Sequence, residues 1–178
     1  MAKTAITVSP RIVYGGGPIT SDVYKSHATN LWERGALLKL ASGLLTPCVD
    51  SSGGSAEIDT DDTGTGVRLF IAVEDHLTAG SVFVAVQEIL PETVIELQIL
   101  GSGSTNPTST NVAKGGQYTG YQIDNGTMHG SGIWGLDVDD TTKPILSVID
   151  VQTNYSPWDG AAADYDYVRV KVLGAVLA

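Results

Sequence analysis

Three adjacent polar residues, Glu74, Asp75 and His76, are the first candidates for chemistry in this chain of 178 residues. They follow the apolar run "RLFIAV", and a carboxylate beside an imidazole could transfer a proton or help to bind a metal ion. Because successive strand residues point to opposite faces, Glu74 and His76 could share a face while Asp75 could not. A catalytic pair also needs a group that orients the base and a nucleophile within reach, and the sequence names neither. We therefore predict a strand end and a turn at this stretch.

The closest match to a metal-binding motif is the acidic run "DTDDTG". Asp59, Asp61 and Gly64 have the spacing of positions 1, 3 and 6 in a calcium-binding EF-hand loop, but the fifth and twelfth positions lack the required ligands. A second acidic turn spans Asp137–Asp140. We interpret both Asp59–Asp62 and Asp137–Asp140 as turn-rich acidic loops, with calcium binding as the alternative that titration calorimetry would test.

Other signatures of catalysis are missing from the sequence. It contains no G-x-S-x-G, H-E-x-x-H, P-loop or G-x-G-x-x-G motif. The histidines, His27, His76 and His129, lack the short spacing of zinc ligands. Cys48 is the only cysteine, which excludes an intrachain disulfide, and its apolar setting predicts a buried, unreactive thiol. We predict no catalytic residue, no metal, no cofactor and no enzymatic activity.

The charge balance narrows the range of partners. Asp and Glu total 20 against 10 Lys and Arg, which gives a net charge of −10. Binding to nucleic acid or to an anionic membrane depends on Lys and Arg, so we expect neither partner. The apolar runs are far shorter than the about 20 residues that span a bilayer, and the start of the chain lacks a secretory pattern. We expect a protein that neither spans a membrane nor is exported.

Two-residue periodicity dominates the chain and predicts strands. One face of "ETVIELQIL" carries Thr93, Ile95, Leu97 and Ile99. The runs "YVRVKVL" and "SVFVAVQEI" alternate in the same way, as half-buried antiparallel strands do. Residues 21–40 look weakly helical, but Gly35 interrupts them, so we allow one helical turn at most. We predict a mainly β fold: a single antiparallel β-barrel or β-sandwich core with long polar loops and an extended N-terminal arm.

The first 30 residues differ from the rest, because "ITVSPRIVYGGGPITSD" combines prolines, three consecutive glycines and apolar residues with few partners. Such a segment is disordered or is an arm that orders against another surface. The residues that could add a strand to a neighbour's sheet edge are Ile6, Val8, Ile12, Val13 and Tyr14. The predicted arm hinge is Gly15, Gly16 and Gly17. We divide the chain into an arm, 1–30, and a core, 31–178, and expect deletion of residues 2–17 to leave the melting temperature nearly unchanged.

Three long segments resemble a known class of proteins. They are "LWERGALLKLASGLLTPCVDSSGG", "FIAVEDHLTAGSVFVAVQEILPETVIELQIL" and the closing "YDYVRVKVLGAVLA". In this order, with a long polar insert before the last, they resemble the decoration (cement) proteins on the outside of tailed-bacteriophage heads. The likeness covers most of the chain from residue 31 onward. Its matching positions are Ala72, Glu74, Asp75, Pro91, Thr93, Val94 and Glu96.

The resemblance implies a structural protein of the virion with no enzymatic activity. Its partner would be the major capsid protein, bound on the exterior of the phage head, where the chain would stabilise the capsid. It would assemble in the cytoplasm of the bacterial host as a homo-oligomer, commonly a trimer. In this setting, the N-terminal arm would contribute much of the attachment to the capsid or to a neighbouring copy.

The alternative is a carbohydrate- or receptor-binding β module displayed on the virion. Exposed aromatic rings could stack on sugars, and the candidates are Trp134, Trp158, Tyr118, Tyr121, Tyr155, Tyr165 and Tyr167. The competing interpretation places Trp32 and Trp134 in the core and several tyrosines at strand ends, with their hydroxyl groups reaching water. Selective binding on a glycan array would favour the module.

Overall fold

Alternating apolar residues form two curled sheets, and the prediction of a mainly β, barrel- or sandwich-like fold is confirmed. The computed structural model describes residues 9–49, 56–100, 111–123, 130, 132–152, 167–174 and 176–177. The strands in these ranges are β1 (Arg11–Tyr14), β2 (Ile19–Thr20), β3 (Lys25–Ser26), β4 (Leu37–Ala41), β5 (Leu44–Pro47), β6 (Ala56–Ile58), β7 (Leu69–Ala72), β8 (Val86–Ile89), β9 (Val94–Leu100), β10 (Gln117–Tyr118), β11 (Gly120–Gln122), β12 (Trp134–Asp137), β13 (Leu146–Gln152) and β14 (Tyr167–Val172). A short helix, α1 (Thr60–Thr63), lies between β6 and β7.

The larger sheet, sheet A, contains eight strands in the order β10-β13-β14-β9-β12-β11-β6, with β1 beside β9. Most neighbours are antiparallel, but β12 runs parallel to β9. β1 and β12 share one edge of β9, because β1 pairs with its first residues and β12 with its last. The run 117–122 curls the sheet, since β10 pairs with β13 while β11, after one intervening residue, pairs with β12 and β6.

The smaller sheet, sheet B, has six strands in the order β2-β8-β7-β4-β5-β3. Its two ends meet, because Lys25 of β3 also pairs with Phe83 in an isolated bridge just before β8. The Ser26 backbone NH donates to the Val82 carbonyl oxygen at 2.9 Å, which extends this contact. Sheet B therefore curls into a barrel-like ring.

The two faces of sheet B point into different apolar clusters. The larger cluster, shared with sheet A, contains from sheet B the side chains of Leu37, Leu69, Ile71 and Ile89. The smaller cluster lies inside the sheet B ring and contains Trp32, Leu38, Phe70, Ala72 and Val86. Because sheet B is covered on both faces, a strand such as β7 needs apolar residues at every position. The unbroken apolar run "LFIAV", which contains β7, follows from this arrangement.

The predicted periodicity is confirmed where one face alone meets the core. The four residues that we assigned to the inner face of the β9 run have no exposed surface: Thr93, Ile95, Leu97 and Ile99. In β14, buried valines alternate with half-buried side chains, and both of its neighbours, β13 and β9, are antiparallel to it. These strands form where the pattern of apolar residues predicts them.

The run "SVFVAVQEI" does not form one continuous strand, and β8 begins only at Val86. The Ser26 hydroxyl group donates to the Gly80 carbonyl oxygen at 2.7 Å and accepts from the Val82 NH at 3.1 Å, so a side chain replaces part of the strand ladder. As a result, Val82 is 49% exposed while Val84 is buried, although alternation places both on one face.

The described helix lies outside the stretch in which we allowed one. Residues 21–40 contain β3, turns and most of β4. The helix α1 forms in the acidic run instead, because Asp59 caps it: its carboxylate accepts from the backbone NH groups of Asp61, at 2.6 Å, and Asp62, at 3.3 Å. The Asp62 carboxylate accepts in turn from the Asp59 NH at 3.2 Å, which completes a capping box.

The N-terminal segment, in its described residues 9–30, takes part in both sheets and differs in this from the arm that we expected. β1 pairs with β9 of sheet A, β2 with β8 of sheet B, and β3 with β5. Residues 11–20 therefore run antiparallel to residues 86–96 across the junction of the sheets. Ile12 packs against the larger cluster, while Val13, Tyr14, Ile19 and Val23 stay exposed.

The predicted hinge, Gly15, Gly16 and Gly17, forms the crossing from sheet A to sheet B. The Thr93 hydroxyl group donates to the Gly15 carbonyl oxygen at 2.9 Å. The Gly17 NH donates to the Glu88 carbonyl oxygen, also at 2.9 Å. Hydrogen bonds thus hold both ends of the crossing in place.

Candidate functional site

The stretch after β7 is a strand end and a turn, as we predicted, and its two carboxylates bind backbone groups. Glu74 Oε1 accepts from the Ala85 NH at 2.8 Å, and Asp75 Oδ1 accepts from the Arg34 NH at 2.7 Å. Each carboxylate satisfies an NH group that no strand partner satisfies. Both groups therefore hold loops together instead of facing a common reaction site.

His76 is a core residue and does not point into a cleft. Only 6% of it is exposed, and its ring lies 4.6 Å from the Trp32 ring, between centroids. The backbones of His76 and Trp32 exchange two hydrogen bonds, at 2.9 and 3.0 Å. Burial lowers the pKa of the imidazole, which keeps the neutral form in the fold. The Nε2 atom of His76 has no hydrogen-bond partner in the described structure.

The two acidic loops use their carboxylates for local turns. Besides the cap at Asp59, Asp137 Oδ1 accepts from the Asp139 NH at 2.9 Å, and the Asp140 carboxylate accepts from the Thr142 NH. Within the ranges that the structure describes, no three His, Cys, Asp or Glu side chains are grouped so that they could hold a metal ion. Calcium binding thus has no geometric support from these loops.

Several carboxylates crowd together beside α1, and we call this group the acidic lobe: Glu57, Asp59, Asp61, Asp62 and Asp140. A hydrogen bond that the Glu57 carboxyl group donates to the Asp140 carboxylate, together with burial and the nearby negative charges, raises the pKa of Glu57 to about 7. The same pair lowers the pKa of Asp140. Lys143 forms an ion pair with Asp61, and Lys39 donates to the Asp62 carbonyl oxygen. These two cations face five carboxylates, so the lobe keeps a net negative charge.

Cys48 is buried, as its apolar setting predicted. Burial raises the pKa of its thiol to about 12, so the nucleophilic thiolate is scarce at neutral pH. This position does not suit a catalytic cysteine.

The predicted contact residues of the arm have different surroundings. Ile12 is half-buried, Val13 is 38% exposed and Tyr14 is 71% exposed, all within β1. Ile6 and Val8 lie outside the described residues. The backbone of β1 bonds to β9 of the same chain along one edge, and the side chains of Val13 and Tyr14 are exposed. A contact of these side chains with a capsid or a neighbour stays a prediction.

An exposed apolar surface lies on the sheet B ring, where residues 19–28 run alongside residues 77–87. We call it the apolar strip, and its members are 49–60% exposed: Ile19, Val23, Leu77, Val82 and Phe83. The Lys25 ammonium group lies 4.8 Å from the centre of the Phe83 ring, which leaves the rest of the ring in water. Clustered exposed apolar side chains are typical of interaction surfaces.

The sequence did not single out this strip. Residues 82–86 are all apolar, so nothing in their order indicates which of them face water. The strip depends on the pairing of Lys25 with Phe83, a contact between residues 58 positions apart. A weak signal was present in the apolar residues of the first 30 positions, of which Ile19 and Val23 belong to the strip.

Two of the four described candidates for a sugar-binding platform, Trp134 and Tyr118, are core residues. Trp32, Trp134 and Tyr118 are buried, and Trp134 Nε1 donates to the Gly35 carbonyl oxygen at 2.9 Å. The core assignment of the two tryptophans is therefore confirmed. Tyr121 and Tyr167 are half-buried. The remaining candidates, Trp158, Tyr155 and Tyr165, lie outside the described residues, as does His129.

Comparison of the chain with protein-family models, with curated proteins and with solved structures finds no match. In the part of the chain that the structure describes, no helix is long and apolar enough to cross a membrane.

Proposed function

We propose that this chain is a structural protein of a tailed-phage virion, which binds the outer surface of the head and stabilises the capsid. The resemblance of its segments to decoration proteins motivates the proposal. The apolar strip is the observation that supports it best. The proposal includes self-association into a homo-oligomer on the head exterior after synthesis in the host cytoplasm, and it includes no catalytic activity.

The strip has the properties of an attachment surface. Burying one large apolar side chain contributes roughly 1.5–3 kcal/mol, so burial of a few strip residues could offset the cost of association. Two of the strip residues lie on paired backbone, because Ile19 belongs to β2 and Phe83 bridges to Lys25. A surface that is already ordered loses little conformational entropy when it binds. An attachment of this kind would hold neighbouring capsid subunits together and so stabilise the shell.

The polar clusters also support a binding role. Glu74 and Asp75 bind backbone NH groups, Asp59 caps a helix, and His76 is packed under Trp32. These groups already have structural tasks in the chain. A protein whose task is to cover a shell needs surface complementarity and does not need a reaction site.

The proposal is tested with phage heads that lack the chain, purified and mixed with the purified protein. We expect saturable binding and a higher temperature of head disruption in the decorated sample. Binding that leaves head stability unchanged would remove the stabilising role. Absence of binding, together with selective binding on a glycan array, would replace the proposal with the carbohydrate-binding module.

A further inference from the structure

A groove of about 520 Å³ lies on the outer face of sheet A, away from the apolar strip. One side of the groove is apolar and is formed by Val13, Tyr14 and Val94. The other side contains two cations, Lys114 and Arg169. Ile149 and Asp150, both in β13, complete the lining. The groove thus combines an exposed aromatic ring with positive charge.

Two carboxylates, Glu96 beside Arg169 and Asp150 in the lining, offset the cations of the groove only in part. Arg169 Nε lies 3.5 Å from Glu96 Oε2, which is longer than a hydrogen bond, and the same carboxylate binds Arg11 through its other oxygen. One carboxylate therefore serves two guanidinium groups. The Nε atom of Arg169 is buried and has no hydrogen-bond partner in the described structure. Lys114 is exposed and has neither a hydrogen bond nor an ion pair there.

In the acidic lobe, negative charge exceeds positive charge. Its five carboxylates exceed the two cations that contact it in the described structure, Lys39 and Lys143. The lobe also extends into solvent, since the Asp61 side chain is 71% exposed. In the described structure, neither Lys114 nor Arg169 pairs with a carboxylate of the lobe. Each surface therefore has an excess of the charge that the other surface can neutralise.

We propose that the groove on sheet A binds the acidic lobe of a second copy of this chain. Lys114 and Arg169 pair with lobe carboxylates, while Tyr14 covers the contact and reduces its exposure to water. The inference rests on the self-association part of the proposed function and does not depend on binding to a head. Because the contact joins two different surfaces, it is a head-to-tail contact, which closes into a ring or continues as an open chain.

The test uses two charge-reversed proteins and their mixture, with mass measured by sedimentation and light scattering over a range of concentrations. The groove variant is Lys114→Glu, which changes an exposed side chain without a partner. The lobe variant is Glu57→Lys with Asp61→Lys, at two exposed positions. We expect each variant alone to associate at least about tenfold more weakly than the unmodified chain. We expect the equimolar mixture to associate as alternating dimers, even-numbered rings or open chains, because the reversed groove of one variant meets the reversed lobe of the other and the unmodified surfaces meet at the next contact. An odd-numbered ring cannot alternate in this way.

The control variant is Lys25→Glu, which makes the same change at an exposed cation on the apolar strip, and we expect it to self-associate normally. Oligomers that form equally in every variant would overturn the assignment of the two surfaces and leave self-association standing. A chain that stays monomeric at all concentrations would overturn both. If that monomer bound a labelled Glu/Leu peptide and lost it on Lys114→Glu, the groove would belong to an acidic segment of another protein instead.

Discussion

The apolar strip on sheet B and the charged groove on sheet A are two open surfaces of opposite character. The strip carries five large apolar side chains and a single cation, Lys25, over the Phe83 ring. The groove carries two cations beside a short apolar wall. Binding through the strip is stabilised mainly by burial of apolar surface, so it is insensitive to salt. Binding through the groove depends on charge and therefore selects an acidic partner.

On this difference we propose different partners for the two surfaces. The chain has a net charge of −10, so a second copy is the acidic partner that is always present. The groove therefore suits self-association. Because its five members are uncharged, the strip does not favour a partner of either charge. It suits a large surface that can bury it, such as a capsid shell. Substitutions that affect one contact and spare the other can test this division.

The largest effect is expected from charges placed in the strip. Val23→Asp with Leu77→Asp should weaken head binding by about a hundredfold, since each change loses roughly 1.5–3 kcal/mol of apolar burial. The unfolding midpoint should stay nearly constant, because both side chains are more than half exposed. Titration of heads with labelled protein measures the affinity. The control Thr65→Asp adds charge at an exposed residue outside the strip; equal weakening by the control would show that charge alone was responsible.

A smaller effect is expected at the crossing that holds β2, and with it Ile19, against β8. Gly15 has φ +70°, and a Cβ atom there would lie 2.5 Å from the Glu92 carbonyl oxygen. Gly15→Ala should lower the free energy of unfolding by at least about 2 kcal/mol. The matched control is Gly43→Ala, which has φ +81° but no atom within 4 Å of the new Cβ.

The control should lose only about 1 kcal/mol, the cost of the left-handed backbone. Denaturant unfolding measures both variants. Equal losses at the two positions would mean that the crossing is not closely packed. A stability that survives deletion of residues 2–17 would restore the independent arm that the sequence predicted.

A pH dependence is expected from His76, which precedes Leu77 of the strip. The folded state lowers the pKa of this imidazole below 6.5, so the folded state binds fewer protons than the unfolded chain. Stability should therefore fall as pH drops below about 6.5. Glu57 acts in the opposite direction, because its raised pKa costs stability as pH rises from 4.5 to about 7.

The measurement is denaturant unfolding between pH 5 and 8 in the Glu57→Gln background, which removes the opposing group. His76→Phe in that background should flatten the pH profile, while His27→Gln, a change at an exposed histidine, should leave it in place. If the stability of the His76→Phe variant still depends on pH in the same way, another group causes the pH dependence.

The smallest effect concerns salt. Between about 0.05 and 0.5 M salt, attachment through the strip should change by less than about twofold, while association through the groove should weaken steadily. Head binding and self-association, measured in the same buffers, give the two responses. Head binding that weakens as steeply as self-association would mean that the groove, and not the strip, faces the shell.

Elements with a one-sided apolar pattern were predictable from sequence. β14 alternates along its whole length and β9 does so up to Leu97, because only one face meets the core there, whereas Gln98 and Leu100 are also buried where β12 pairs with β9. The strand end and turn after β7 were also predictable, because acidic side chains such as Asp75 that follow an apolar strand favour turns and hydrogen bonds to the backbone. In these places, the physics that determines the structure acts between near neighbours in sequence.

The surfaces were not predictable, because they depend on contacts between distant residues. The segment 11–20 was interpreted as an arm since its apolar side chains have no partner nearby in sequence, yet it pairs along residues 86–96. The strip exists because β3 meets the segment before β8. The groove brings Tyr14, Lys114 and Arg169 together from three separate parts of the chain. No local pattern encodes such pairings.

A cryo-EM reconstruction of decorated heads, at a resolution that traces the backbone, tests the division between the two surfaces most directly. We expect residues 19–23 and 77–83 to face the shell, with Val23 and Leu77 buried against the major capsid protein. We also expect the groove around Lys114 to face the acidic lobe of a neighbouring copy. A reconstruction in which residues 19–23 and 77–83 point into solvent, while the groove contacts the shell, would contradict the assignment.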